Sequence, residues 1–209
     1  MIHLDTDSDD PSPAQYAARL AAAARFAGDA ADKYGESDAV RAAEALLAAR
    51  LGKERAVLLP TGTLANMLAL DRLCPRSARR VLVHPQSHVL ADTGDGAAGV
   101  MGLTLVPVEP AGAGFTAEAA VAAIRASRVG RVKQGIGAMV VETPVRRRFN
   151  EVFPVATMDA AVAAARAEGV ATHLDGARLP IAAQSAGRGV AAFCAPFDSV
   201  YLSLWKMLG

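Results

Sequence analysis

Several short stretches of this sequence hold side chains suited to chemistry. Leu59-Pro60-Thr61-Gly62-Thr63 leads from a β-branched run into a helical segment. Gly62 lets the backbone approach a ligand closely. The N–H groups of a first helical turn, with the Thr63 hydroxyl, suit a phosphate. The same letters also fit a plain helix cap by Thr61 or Thr63. His173-Leu174-Asp175-Gly176-Ala177-Arg178 closes another run. Side chains alternate along a strand, so His173 and Asp175 share a face. A carboxylate there, beside Arg178, can hold a cationic ring nitrogen or help bind a substrate carboxylate. The competing readings are an Asp175–Arg178 salt bridge that tightens the turn, and a metal pair from His173 and Asp175 that has no third ligand at a telling spacing. Ser203-Leu204-Trp205-Lys206 follows the last run. A lysine leaving a buried strand beside Trp205 is partly desolvated, which lowers its pKa and makes it a nucleophile for a carbonyl. A solvated lysine is the alternative. The chain has only four lysines, Lys33, Lys53, Lys133 and Lys206, so covalent lysine chemistry must use one of them.

Other features are less specific. Gly94-Asp95-Gly96-Ala97-Ala98-Gly99 matches the dinucleotide fingerprint letter for letter. A strand should precede it and a helix should open on it, whereas a strand-like run, Thr104–Val108, follows it. It reads as a Gly-rich loop, with a nicotinamide site as the alternative. His88 stands alone between Ser87 and Val89, and Arg146-Arg147-Arg148 reads as a solvated loop or an anion site.

The elements that must position these residues alternate. Runs rich in β-branched residues occur at Ala56–Leu59, Val81–His84, Thr104–Val108, Ala138–Glu142, Ala171–Asp175 and Ser199–Ser203. Helical patterns cover Pro13–Gly28, Ser37–Leu51, Gly62–Leu73, Thr116–Ser127 and Thr157–Glu168. Strand and helix in alternation imply an α/β fold, a mostly parallel doubly wound sheet with helices on both faces. Ligands bind such sheets beyond the carboxyl ends of the strands. Those ends are Pro60–Thr63, His84–His88, Glu142–Thr143, Asp175–Arg178 and Ser203–Lys206, and each carries polar groups the strand itself does not need.

Composition narrows the class. Of 209 residues, 52% are hydrophobic and 5% aromatic, and the net charge is +1. That apolar content excludes intrinsic disorder. Near-neutral charge with few aromatics argues against binding nucleic acid through its phosphates. The longest uncharged stretch, Ala56–Leu70, is broken by Pro60, Gly62 and Asn66 and is too short to span a bilayer. The acidic start of the chain lacks the order of a signal peptide. Cys74 and Cys194 have no disulfide or metal spacing and read as reduced residues of a cytoplasmic protein.

In order along the chain, these residues resemble the threonine aldolase and β-eliminating lyase family, pyridoxal-phosphate enzymes of the aspartate-aminotransferase fold. Tyr34-Gly35-Glu36 looks like the family's Tyr-Gly-acid segment. Leu59-Pro60-Thr61-Gly62-Thr63-Leu64-Ala65-Asn66 is close to its phosphate loop. His88 stands in the place of its cofactor-stacking His, and His173-Leu174-Asp175-Gly176-Ala177-Arg178 matches its most specific signature. Lys206 stands where the Schiff-base lysine is expected. The resemblance implies that Lys206, His88 and Asp175 are catalytic. Gly62, Thr63 and Ser203 would hold the phosphate, Asp175 would pair with the pyridine nitrogen, and Arg178 and Tyr34 would bind the substrate. It implies retro-aldol cleavage of a threonine-like amino acid to glycine and an aldehyde, in a cytoplasmic homodimer or homotetramer. The chain departs from the pattern at Glu142-Thr143-Pro144-Val145-Arg146, where many threonine aldolases carry a His. That leaves β-elimination or another amino-acid reaction open, while a nicotinamide oxidoreductase and an inactive relic of the fold are the readings from other classes. The expected organisation is a helical arm over residues 1–30 and a cofactor-binding large domain over 31–209. Family members continue past the lysine into a small domain, so the chain reads as truncated. The isolated chain is expected to bind the cofactor weakly and to turn over little.

Overall fold

The computed structural model describes residue 7, residues 10–27 and residues 32–206. The expected helix end at Gly28 lies outside them. The chain divides into two compact units, Met1–Leu58 with Leu204–Gly209, and Leu59–Ser203.

In the first unit, α1 runs over Pro13–Ala27 and α2 over Asp38–Leu51. The Ser37 hydroxyl caps α2 by accepting the Val40 N–H, and Gly52, at φ 64°, ends the helix in a left-handed turn that favours glycine. Asp32 accepts the backbone N–H groups of Tyr34, Glu36 and Ser37, which hold its carboxyl well below the usual range. The run Ala56–Leu59, expected as a strand, is not one. A β-branched run becomes a strand only when a neighbour completes its hydrogen-bond ladder. Here the Leu58 N–H is taken by the Glu44 carboxylate at 2.7 Å, and Val57 and Leu58 are 73% and 47% exposed.

The second unit is built on a parallel sheet. Its strands are β1 (Arg80–Val83), β2 (Thr104–Pro107), β3 (Ile136–Glu142), β4 (Ala171–Gly176) and β5 (Ser199–Leu202). Their order is β2-β1-β3-β4-β5, and every pairing is parallel. The order reverses between β1 and β3, which is where a doubly wound sheet opens its ligand crevice. All seven residues of β3 are buried, so both sheet faces are covered there. The core joins Val81, Val83, Val89, Ala138 and Val140 to Leu70 and Leu103.

The helices are α3 (Gly62–Leu73), α4 (His88–Ala91), α5 (Gly96–Gly99), α6 (Ala117–Ala126), α7 (Val155–Ala167), α8 (Leu179–Ser185) and α9 (Val190–Cys194). Four of them, α4, α5, α8 and α9, have no counterpart in the expected elements: α4 and α5 are single turns too short to show a period, and Pro180 in the first turn of α8 and glycines at 187 and 189 break the periodic signal. Among the described residues no helix is long and apolar enough to cross a membrane. Cys74 and Cys194 are buried thiols, and burial pushes Cys74 up to about 11.

Gly137 marks the tightest packing of β3. A Cβ there would collide with the Ala78 carbonyl and lie 3.1 Å from Cys74 Sγ. Gly137→Ala is therefore expected to lower stability by about 1–3 kcal/mol. Urea denaturation measures it, and an unchanged midpoint would show that the strand yields without cost.

Candidate active site

Asp175 is the penultimate residue of β4 and is 2% exposed. Such a carboxylate needs donors to replace water. One oxygen accepts the Ala177 N–H at 3.2 Å, and the other accepts Asn66 Nδ2 at 2.6 Å. Asn66 reaches it from α3, whose first turn is capped by the Thr61 hydroxyl accepting the Leu64 N–H at 3.1 Å. Of the two cap readings, the structure selects Thr61.

The Asn66 amide settles the state of His173. Its NH₂ must face the carboxylate, so its oxygen faces His173 Nε2, 2.9 Å away. An amide oxygen only accepts, so Nε2 carries the proton. The bare Nδ1 then accepts from the Ser199 hydroxyl at 2.7 Å. Full burial pushes His173 down to about 4, so the ring is neutral. Ser199, His173, Asn66 and Asp175 thus form one hydrogen-bonded chain with every polarity assigned, half-buried at Ser199 and buried from His173 to Asp175.

A second carboxylate stands beside the first. Glu142 ends β3 in register with Asp175 and is 5% exposed. It accepts the backbone N–H of His88 at 2.5 Å and that of Arg146 at 3.1 Å. Burial, and then the charge of Asp175, push Glu142 up to about 7, against the pull of those two N–H groups and of Arg178. Arg178 is buried at the start of α8. His88 opens α4, and its Nδ1 is buried with no hydrogen-bond partner among the described residues.

Gly62 opens α3 beneath Tyr201 of β5, and any Cβ at position 62 would run into the Tyr201 ring and hydroxyl. Thr63 follows, half-buried. Tyr201 is hydrogen-bonded to the buried Ser203, and burial raises its pKa.

Of the residues singled out from sequence, Gly62, Thr63, His88, Asp175, Arg178 and Ser203 all belong to the second unit. Asp175 and Arg178 both act electrostatically on Glu142, which holds His88. Lys206 and Tyr34 belong to the first unit; Lys206 is half-buried, and Tyr34 is 87% exposed. The Gly94–Gly99 segment follows α4 rather than a strand and opens only the single turn of α5, so the strand-turn-helix of a dinucleotide site is not formed there. Arg147 is paired with both oxygens of Asp92, and Arg148 with Glu151, so this run is tied down by ion pairs. Among the described residues no group of three or more His, Cys, Asp or Glu could hold a metal ion. Sequence reading missed Asn66, Ser199 and Tyr201 as site residues. Asn66 sits one helical turn after the Thr61 cap, the only local hint of its role.

A doubly wound parallel sheet with a buried Asp, Asn and His at its carboxyl edge defines the class: the large domain of the aspartate-aminotransferase fold. The sequence profile of the Beta-eliminating lyase family matches residues 4–209. The chain is 29% identical over 172 residues to aldolase vrtJ of Penicillium aethiopicum and 28% identical over 168 residues to alanine racemase TOXG of Cochliobolus carbonum, in each case across 79% of this chain and 42% of the relative. It is 36% identical over 115 residues to a low specificity L-threonine aldolase of Escherichia coli, covering 54% of this chain and 33% of that enzyme. A solved Listeria monocytogenes structure, provisionally designated an L-allo-threonine aldolase, superposes with a TM-score of 0.75 at 26% identity, over 91% of this chain and 52% of that one. The chain therefore spans about half the length of these relatives or less. It belongs to the β-eliminating lyase family, whose cofactor is pyridoxal 5′-phosphate. The residues fit that group: Asp175 is an acceptor at the strand end, and His88 Nδ1 is a buried polar atom with no hydrogen-bond partner among the described residues.

His173 and Glu142 act on stability in opposite directions. The unfolded chain protonates His173 below 6.5, whereas the fold resists until about 4, so stability is lost as pH falls through that window. The fold keeps Glu142 protonated up to about 7, against 4.5 unfolded, so stability is gained as pH falls through that one. Between pH 6.5 and 4.5 the two offset. Glu142→Gln should expose the histidine, its unfolding free energy falling relative to wild type by up to about 3 kcal/mol as pH drops from 6.5 to 4.5. Denaturant titrations across that range measure it, and parallel curves for the two proteins would contradict it.

Proposed function

We propose that this protein is a pyridoxal-phosphate-dependent lyase that cleaves the Cα–Cβ bond of a threonine-like β-hydroxy amino acid, giving glycine and an aldehyde. The observation that carries the reading is the buried Asp175 carboxylate, aimed by Asn66 at the end of β4 and followed three residues later by Arg178. When bound, the cofactor supplies an electron sink for the carbanion left by bond cleavage. Asp175 holds a proton at the pyridine nitrogen through its hydrogen bond, and keeps the ring electron-poor. The backbone of Gly62 and Thr63, with the hydroxyls of Thr63 and Ser203, binds the phosphate at the first turn of α3. His88 would stack on the ring and, through Nδ1, which has no hydrogen-bond partner among the described residues, would take the β-hydroxyl proton as the aldehyde leaves. Arg178 binds the substrate carboxylate through paired N–H donors. Lys206 is the amine that attaches the cofactor and hands a proton to Cα, and Tyr34 contacts the substrate. A cytoplasmic homodimer or homotetramer remains part of this reading.

A second reading is favoured by one observation. Where many threonine aldolases carry a His after the third strand, this chain has the buried Val145. Without that imidazole, β-elimination from a β-substituted amino acid is the alternative at the same site.

A panel of β-hydroxy and β-substituted amino acids, tested on the full-length protein with aldehyde, ammonia and inverted alanine measured separately, discriminates these outcomes. The expected result is aldehyde and glycine in equal amounts, with Lys206→Ala and Asp175→Ala each losing at least about a hundredfold. Borohydride should fix the cofactor to wild type and not to Lys206→Ala. Ammonia release alone would move the assignment to β-elimination, and stable labelling of Lys206→Ala would remove the covalent role of that lysine.

A further inference from the structure

His88 Nδ1 is buried with no hydrogen-bond partner among the described residues, so the backbone of the turn is the main thing that sets where the ring stands, with the charge of Asp92 beside it. That backbone is held unusually. The helix α4 is a single turn, and Ser87, at its N-cap, makes no side-chain cap bond. The N–H of His88 itself, the first residue of the turn and one a cap side chain does not reach, is taken by a carboxylate 54 positions away in sequence, Glu142 Oε2. The other oxygen of the same carboxylate takes the N–H of Arg146, in the turn after β3. One buried acid thus fastens two loops from neighbouring strand ends, on either side of the point where the strand order reverses. A second tie lies further out, where Arg147 grips Asp92 at 2.7 Å just past the end of α4, but it is exposed on the arginine side. Neither tie uses a group assigned to the chemistry.

We propose that Glu142 is the positioning residue for His88: its carboxylate anchors the first turn of α4 to the turn at Arg146 and so sets where the imidazole stands over the bound cofactor. The proposal rests on the reading of His88 as the ring-stacking group. Both oxygens accept only when the acid is ionised. On protonation, one of them carries an O–H and becomes a much poorer acceptor, so its bond to the N–H weakens. The groups that face Glu142 are Asp175 from β4, Arg178 from the loop after it, His88 from α4 and Arg146 from the turn. Burial first, and then the charge of Asp175, outweigh the two N–H groups and Arg178 and raise the carboxyl toward the neutral range, so anchoring weakens as the solution is acidified.

The test has one arm without cofactor and one with it. In the full-length apoprotein, the amide protons of His88 and Arg146 should move together with pH around neutrality. Both should lie downfield when the acid is ionised. In Glu142→Gln the Arg146 amide should stay still, while Glu142→Asp, which keeps the charge, should restore its titration. In the second arm, cofactor affinity should weaken about tenfold in wild type from pH 8 to pH 6. Glu142→Gln should hold the weaker value at both, and the difference between Glu and Gln should vanish in a His88→Ala background. Amides that titrate independently in wild type, an unchanged pH profile in Glu142→Gln, or an equal Gln effect with and without His88 would each overturn the proposal. If wild type takes up no cofactor while the amides titrate as described, the anchoring stands and the pyridoxal-phosphate reading fails.

Discussion

The structure turns on one buried charge. Asp175 sits in a sheet end that excludes water, and a carboxylate there is tolerable only if its oxygens receive donors. The donor on one oxygen is the Asn66 amide, whose direction is fixed because His173 faces its other end, and His173 is fixed in turn by Ser199. Each link demands a piece of the fold. Ser199 meets His173 because β4 and β5 are parallel with those two residues in register. Asn66 meets both because α3 docks on β4 one turn past its Thr61 cap, and that docking lets Tyr201 lie against Gly62. Strand pairing, helix placement and a glycine thus serve a single carboxylate.

A second carboxylate beside the first creates an asymmetry. Asp175 has the amide donors, and Glu142 must ionise in its field, with Arg178 the nearby counter-charge. Burial and the neighbouring Asp175 charge thereby push Glu142 toward its protonated state by environment alone. One acid is held by an amide and a backbone N–H, while the other itself holds the backbone of two turns.

Much of this was legible in the chain. Five of the six expected strands form, because β-branched runs between helical segments become a parallel sheet whenever neighbours complete their ladders. The exception, Ala56–Leu59, has the same composition but gives its backbone N–H to Glu44, and composition does not show where a ladder partner is missing. The helices α8 and α9 were hidden by Pro and Gly, whose effect on periodicity depends on tertiary packing. At the site, Asp175 and Arg178 were visible because strand alternation and a short signature point to them. Asn66 was visible only as the last residue of the phosphate-loop motif: its role depends on a contact 109 positions away in sequence, which that motif does not show. Glu142 could be read as a strand-end acid, but its hold on His88 needed the β1–β3 neighbourhood that only the sheet order provides.

The central claim is that a neutral hydrogen-bonded chain keeps Asp175 an anion aimed at a ring nitrogen. The direct measurement is ¹⁵N NMR of full-length protein carrying cofactor labelled at the pyridine nitrogen. The account predicts a protonated nitrogen from pH 6 to 9 in wild type, and loss of that proton within this range in Asn66→Leu, which keeps the Asp175 carboxylate but removes its amide donor and breaks the chain. A wild-type nitrogen that is unprotonated at neutral pH, or one indifferent to Asn66→Leu, would contradict it.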